Sequence, residues 1–309
     1  MKRSKKVLNT IKRYKVLYIM LIPVVLYYLV FKYYPMYGNI IAFKDFKLSK
    51  GIIGSYWVGF KYFSKLFSSY EFTNVLFNTL RINLLSIIFS FPAPIMIALM
   101  LNEIKNNKVK RAVQTTIYIP YFVTWSVMGG ILNTLLSPTI GIPAYLSNLL
   151  NTDSQNTIYI MGNATTWLIT YIVIDIWKNA GWGSIVYMAA ISNINPELYE
   201  AAKIDGANKV QMMWHITVKQ ISTLIFCMFI LKMGKILSVG FEQVYALQNN
   251  MVLSVGEVFS TFEYKIGLGK TIQYSYSTTI GLFQGMVGLI TLVVSNKLVK
   301  KISGGEIKI

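Results

Sequence analysis

The sequence predicts an all-α polytopic membrane protein with six transmembrane helices and a cytoplasmic helical loop, and three observations predict it. The 309 residues are 54% hydrophobic and only 14% charged, against about 25% charged in an ordinary soluble domain. Apolar runs long enough to cross a bilayer recur along the chain. The basic residues behind the net charge of +18 flank those runs, so they read as topology signals and not as a nucleic-acid footprint.

The first span, Leu17 to Phe31, follows the basic cluster Lys2, Arg3, Lys5, Lys6, Lys12, Arg13 and Lys15. It leads into Tyr33, Tyr34 and Pro35 without a small-residue cleavage site, which predicts a retained signal anchor. The second, Thr79 to Leu101, contains Pro92 and Pro94, which should kink or unwind it. The third runs from Val113 to Leu136, with Pro120 near its start and a Gly129-Gly130 pair. The fourth, Ala164 to Ala190, is interrupted by the polar and glycine-bearing stretch Trp177 to Gly183. The fifth, Ser222 to Gly240, carries Lys232 and Lys235. The sixth, Ser277 to Asn296, has Gly281, Gly285 and Gly288, with a G-x-x-x-G spacing that lets helices approach closely.

Orientation follows from Lys and Arg outside the spans. The N-terminal arm has seven, the Asn102–Ala112 loop four, the stretch from 191 to 219 three and the C-terminal end four. The opposite side has eight, six of them in the long Lys32–Glu71 loop, where they count least. Both termini are therefore expected in the cytoplasm. The organisation expected is a basic arm (1–16), a transmembrane domain (17–298) with its loop at 191–219, and a short cytoplasmic tail (299–309). The outer segment from Met36 to Ser69 is too rich in aromatics for a disordered linker and is expected to pack on the outer membrane face.

Chemistry is scarce. Cys227 lies in an apolar run and His215 is the only histidine, so no metal, haem or Cys–His site and no cofactor is implied. The twelve acidic residues are scattered, which disfavours a membrane enzyme, and no G-x-x-x-x-G-K-[ST] phosphate loop is present. A secondary transporter or channel is a rival reading, but no internal repeat supports it.

The polar loop is the exception to the apolar chain. Asn195-Pro196-Glu197 is a helix start: Asn caps, Pro suits the first position and the acid suits the positive dipole end. Leu198, Ala201, Ala202 and Ile204 then mix with Glu200, Lys203 and Asp205, Gly206 breaks the run, and a second short helix spans Asn208 to Trp214. A solvated loop would not need Ala201, Ala202, Met212, Met213 and Trp214, whereas a docking element would.

Glu200-Ala201-Ala202, then Asp205-Gly206-Ala207, then Ile216-x-Val218, resembles the EAA loop of binding-protein-dependent ABC importer permeases, whose usual form is E-A-A-x-x-D-G-A followed after a gap by I-x-L-P. The flanking "IWKNAGWGSIVYMAAISNINPELYEAAKIDGAN" and "SVGFEQVYALQN", with "WVGFKYF" nearer the N-terminus, are similar to carbohydrate-importing permeases of the maltose type, and within them to a subgroup handling polysaccharide-derived oligosaccharides. The resemblance covers most of the chain from Met36 onward. It implies a permease subunit that pairs with a second, homologous permease, two cytoplasmic ATPase subunits and an extracytoplasmic solute-binding lipoprotein. It also implies that Glu200, Ala201, Ala202, Asp205, Gly206 and Ala207 form the coupling helix contact with the ATPase. One departure is that Lys219 stands where the family has proline, which alters how the loop re-enters the membrane.

Asp175, Lys178, Lys232 and Lys235 fall inside expected spans. A charge at the bilayer centre costs about 2.5–3.5 kcal/mol on insertion scales, so each needs a partner or a wet cavity. Two readings stand open. Lys232 pairs with Asp175 while Lys235 snorkels outward, or the lysines line the translocation cavity and favour anionic, uronic-acid-containing oligosaccharides. Asn83 and Trp177 are further pathway candidates, with Asn78, Trp125, Trp167 and Gln284 as weaker sugar contacts.

Overall fold

A computed structural model describes residues 13–149 and 159–302. The lysines and arginine of the basic arm before Arg13, and the tail from 303 onward, lie outside the described residues. The chain divides into two units, Met1–Phe67 with Ile266–Leu282, and Ser68–Lys265 with Phe283–Ile309.

In the first unit, helix α1 (Lys15–Tyr28) passes through a π-turn and a 3-10 segment to Phe43, a continuous apolar path of 29 residues. None of α1 is buried within the chain, as expected where lipid or another subunit covers a helix that is apolar all round. Strand β1 (Lys44–Asp45) then pairs antiparallel with β2 (Tyr56–Trp57). Phe43 anchors this small fold, lying 5.8 Å from Trp57 in a stacked pair and 5.5 Å from both Phe60, just before α2 (Lys61–Ser68), and Phe63 within it. Phe43 thus centres a local ring cluster, while Tyr56, Trp57, Phe60 and Phe67 remain more than half exposed.

The Tyr62 hydroxyl donates to Asp45 Oδ1 at 2.7 Å. Burial, and then the neighbouring carboxylate, push this phenol from 10.0 up to about 12. The neutral phenol is the form the fold favours, so its contribution is complete below pH 10 and is lost as pH rises through about 12. A tyrosinate absorbance titration is expected to lose a late-ionising component in Tyr62→Phe. An unchanged titration curve would show that Tyr62 ionises like an exposed phenol.

In the second unit, α3 (Tyr70–Leu85) and α4 (Pro92–Asn102) form one path of 33 residues joined by a π-turn at Ser86–Ser90. The proline pair was expected to kink or unwind this span, and the π-turn shows how it is absorbed. Phe91 N–H reaches back five residues to the Ser86 carbonyl at 2.9 Å, and Pro92 then sits at a helix start, where a missing N–H costs least. The expected third span is broken. Helix α5 (Asn107–Tyr118) ends in a 3-10 turn through Pro120, and α6 (Trp125–Leu135), capped by Thr124, leaves at 94°. A short α7 (Ile142–Leu149) follows.

Helix α8 (Ala164–Ser192) corrects one expectation, since its 29 residues run uninterrupted through Trp177–Gly183. Its glycines serve close packing and not a break: a Cβ at Gly181 would lie 2.1 Å from the Ile117 carbonyl oxygen. After α9 (Glu197–Ile204) and α10 (Lys209–Met212), α11 (Ser222–Met233) stops seven residues before the expected Gly240. Gly234 ends it, packed so tightly that a Cβ at Gly288 would lie 2.6 Å from the Gly234 carbonyl oxygen. Helices α12 (Phe241–Leu247), α13 (Phe259–Leu268) and α14 (Tyr274–Ile302) complete the chain. The close approach on α14 is at Gly288, whereas Gly285 faces open space. Trp167, fully buried, centres the core of this unit and donates from Nε1 to the Leu247 carbonyl at 2.8 Å.

Among the described residues, three helical paths are long and apolar enough to cross a membrane, and the two bent pairs raise the number to five. Helix α8 is about 43 Å long at 1.5 Å per residue, but Asp175, Lys178 and Asn179 make it more polar than those paths.

Candidate functional site

The second unit carries an open cavity of about 520 Å³ between three helical segments. The π-turn region gives Ser86, Ser90, Phe91 and Pro94, α8 gives a stripe that includes Asp175, Asn179, Gly183 and Tyr187, and α11 with the turn after it gives Met228, Leu231, Lys232 and Lys235. The spacing 175, 179, 183, 187 is one face of a helix. The two lysines, three residues apart, come from the place where α11 stops.

The Asp175–Lys232 contact, one of the two readings left open, is not made within 4.0 Å, although both groups line the cavity and their charges interact. Among the described residues the ion pairs within 4.0 Å are Lys209–Glu103 and Lys265–Glu257. Lys232 instead donates to Ser86 Oγ at 2.9 Å, while Asp175 Oδ1 accepts from Asn179 Nδ2 at 2.7 Å within its own helix. Ser90 Oγ is buried without a hydrogen-bond partner. The cavity therefore offers two ammonium groups, one internally engaged carboxylate and a free hydroxyl.

Two pathway candidates lie elsewhere. Asn83 is buried outside this lining and spends its amide on the carbonyls of Thr79 (3.2 Å) and Ile236 (2.9 Å), the second in the turn that follows α11. Trp177 is 53% exposed and also outside the lining. Asn78 holds the carbonyls of Ser254 and Glu257, Trp125 packs against the core and Gln284 donates to Glu263. Sequence reasoning missed Ser86, Ser90, Asn179 and Tyr187. The last two share the helical face of Asp175, and that periodicity would have found them.

The second feature is the loop between α8 and α11. Asn195 Oδ1 accepts from the Glu197 N–H at 3.1 Å and α9 follows. At its end the Gly206 N–H bonds to the Lys203 carbonyl (3.1 Å) and the Ala207 N–H to the Ala202 carbonyl (2.9 Å), a pair of bonds that closes a helix around a left-handed residue. Gly206 has φ +78° and open space beside it, so turn conformation, and not crowding, demands glycine there. Asn208 and Gln211 then cap α10 reciprocally. Between the two short helices lies a shallow pocket of about 320 Å³ that includes Ala202, Asp205, Gly206, Ala207 and His215.

Glu200, Ala201, Asp205 and Gly206 are exposed, Ala202 and Ala207 half-buried. Exposed apolar side chains surround them: Ile204 is 87% exposed, and Val210 and Trp214 are largely open. The loop is held in place by Tyr199 Oη against Thr217 Oγ1 (2.9 Å) and by Lys209 against Glu103 (3.5 Å). Lys219 continues the helical backbone after a π-turn at Met213–Val218, and the chain bends by 62° into α11. The bend is therefore made here without the proline.

The family described as "Binding-protein-dependent transport system inner membrane component" matches residues 90–297. The polygalacturonan/rhamnogalacturonan transport system permease protein YteP of Bacillus subtilis (strain 168) is 42% identical over 299 residues, covering 97% of this chain and 92% of that protein. A chain in the crystal structure of a bacterial ABC transporter involved in the import of the acidic polysaccharide alginate matches with a TM-score of 0.86 at 36% identity, covering 96% of this chain and 99% of that one. A second crystal structure, of a bacterial alginate ABC transporter in complex with an alginate pentasaccharide-bound periplasmic protein, matches with a TM-score of 0.86 at 35% identity, covering 97% and 99%.

Proposed function

The chain belongs to the family of inner membrane components of binding-protein-dependent transport systems and is a sugar permease of the ABC type; from that premise we propose that it carries acidic, uronic-acid-containing oligosaccharides through the cavity at Lys232 and Lys235. The observation that carries this reading is the cavity's charge: two lysines face it, and its one carboxylate is engaged by Asn179. An ammonium group bonded to a carboxylate contributes about 1.5–3 kcal/mol, enough to favour a uronate over a neutral sugar. Lys232 is held by Ser86, and Lys235 is exposed on the turn. The relatives named for polygalacturonan/rhamnogalacturonan and alginate support the same chemistry. Among the first candidates, Asp175 orients Asn179, while Asn83 and Trp177 act outside the lining.

The subunit works with a second homologous permease, two cytoplasmic ATPase subunits and an extracytoplasmic solute-binding lipoprotein. Six spans, counted as three straight paths, two bent ones and α8, would leave both termini on one side of the membrane, the cytoplasmic side by the distribution of Lys and Arg. Glu200, Ala201, Ala202, Asp205, Gly206 and Ala207 seat in the ATPase, and α8 leads from that seat directly to the cavity wall. The test is ATP hydrolysis by the reconstituted complex with its binding protein and a panel of neutral and uronic-acid oligosaccharides. Acidic sugars are expected to stimulate, and Lys232→Ala with Lys235→Ala to lower that stimulation roughly tenfold at sub-saturating sugar, the scale of one charge-assisted hydrogen bond. Equal stimulation by neutral sugars, indifferent to both lysines, would overturn the acidic reading.

A further inference from the structure

Lys178 is the one charge of α8 that the cavity does not use. It is 5% exposed, and among the described residues no carboxylate lies within 4.0 Å of it. Its ammonium instead donates to three backbone carbonyls, those of Pro120 (3.4 Å), Tyr121 (2.7 Å) and Val123 (2.5 Å). These carbonyls lie in the 94° break between α5 and α6, where Val123 and Thr124 are extended and the helical ladder is interrupted. Backbone freed in this way persists at membrane depth only where protein groups or water satisfy it. An ammonium has three N–H donors and no acceptor; here it meets the Tyr121 and Val123 carbonyls and, more distantly, that of Pro120, which also accepts from the Val123 N–H at 3.2 Å.

The rest of the seam agrees. The Lys178 ammonium lies 5.4 Å from the ring centre of Tyr121 and 5.3 Å from that of Trp125. Trp182, one turn along α8, stacks on Tyr121 at 4.7 Å with the rings 5° from parallel. Gly181 brings the α8 backbone against the Ile117 carbonyl, just before the break. Asn179, next to Lys178 in sequence and about 100° around the helix, faces the cavity.

We propose that Lys178 is a positioning residue that fastens the broken α5–α6 span to α8, so that the bend, the cavity wall and the start of the coupling loop move as one body. The consequence for transport rests on the permease reading above, whereas the fastening itself does not. Both are tested in the assembled complex, with Cys227 replaced by serine and spin labels at Thr116 on α5 and Asn133 on α6, both exposed on this chain. Without sugar, wild type is expected to give one narrow label-to-label distance. Lys178→Met, which supplies no donor, should broaden it, and Lys178→Gln, which supplies two, should lie between. ATP hydrolysis with ATP alone should be unchanged in both variants. Its stimulation by binding protein loaded with trigalacturonate should fall roughly tenfold or more in Lys178→Met, the scale of one lost hydrogen bond to a charged group. If Lys178→Met does not accumulate, Lys178→Gln carries the test. Wild-type distance distributions in the variants overturn the proposal. A wild-type complex that trigalacturonate fails to stimulate overturns the substrate reading and leaves the distance result to decide the role of Lys178.

Discussion

Glu200→Lys is expected to leave the permease at its normal level in the membrane while cutting sugar-stimulated ATP hydrolysis by the complex roughly tenfold or more, the scale of an interfacial charge pair worth about 2–5 kcal/mol. The two halves of the expectation have separate grounds. Glu200 is exposed in the first turn of α9, and among the described residues it makes no ion pair, so the fold loses little with it. A lysine in that turn loses a favourable dipole interaction of about 0.3–1 kcal/mol, too little to unfold the loop that Tyr199 and Lys209 tie down at other points. What changes is the face proposed to seat in the ATPase, an acid bordered by small residues and by exposed Ile204, Val210 and Trp214. A basic partner attracted by the glutamate would be repelled by the lysine. Pull-down of the ATPase by the variant, measured beside hydrolysis, separates lost docking from lost transmission. Normal stimulation by Glu200→Lys would remove this residue from the coupling contact.

That loop was the most legible part of the chain, because the signals that shape it are local. Asn195 capping, a left-handed Gly206 and a new start at Asn208 are each set by residues within four positions of one another. Membrane paths were legible for a similar reason, since apolar length is a property of a window. The spans failed where the backbone changes its bonding and the side chains do not. The Ser86–Ser90 π-turn, the break after Pro120 and the stop at Met233 leave hydropathy unchanged, yet they decide which residues reach the cavity. Pro92 signalled the first of these but not its remedy.

The charges were found, but their hydrogen-bond partners were not. Sequence reasoning looks for a carboxylate opposite each buried amine. Here Lys232 takes a serine hydroxyl and Lys178 takes three carbonyls. Neither partner carries a charge that a sequence could flag, and the carbonyls become acceptors only because a helix breaks fifty-odd residues upstream. Asp175 was set at the depth of Lys232 by counting along two antiparallel spans, and the two do line one cavity. Its actual hydrogen bond runs to Asn179, one turn away. The stretch Trp177–Gly183 was misread as an interruption because glycine and polar residues weaken a helix in water. Between packed helices the same residues do the opposite: Gly181 permits contact, and Lys178 repairs a neighbour's broken ladder.

Gly181→Ala puts that last statement at risk, and its expected effect on the fold is the largest of any single methyl group at the glycines of α8 and α14 described above. The added Cβ would lie 2.1 Å from the carbonyl oxygen of Ile117 and 2.8 Å from its carbonyl carbon. Both are backbone atoms, so no rotamer change relieves the clash, and α8 must move away from α5. Moving it stretches the bonds from Lys178 and the stacking of Trp182, which lie on either side of Gly181 in the same seam. Overpacking of this kind costs about 1–3 kcal/mol, occasionally more, against a gain of about 0.5–1 kcal/mol for alanine over glycine in a helix. Clash and propensity therefore oppose each other, and the clash is expected to win. Gly285→Ala isolates the second term, because a Cβ there meets nothing within 4 Å. Gly183→Ala is intermediate, with 3.2 Å to the Pro94 Cβ. Thermal unfolding of the three variants in one detergent should therefore rank Gly285→Ala at or above wild type, Gly183→Ala slightly below it and Gly181→Ala lower by several degrees. A Gly181→Ala protein as stable as Gly285→Ala would mean that α8 and α5 are not in backbone contact, and the fastening at Lys178 would have no seam to hold.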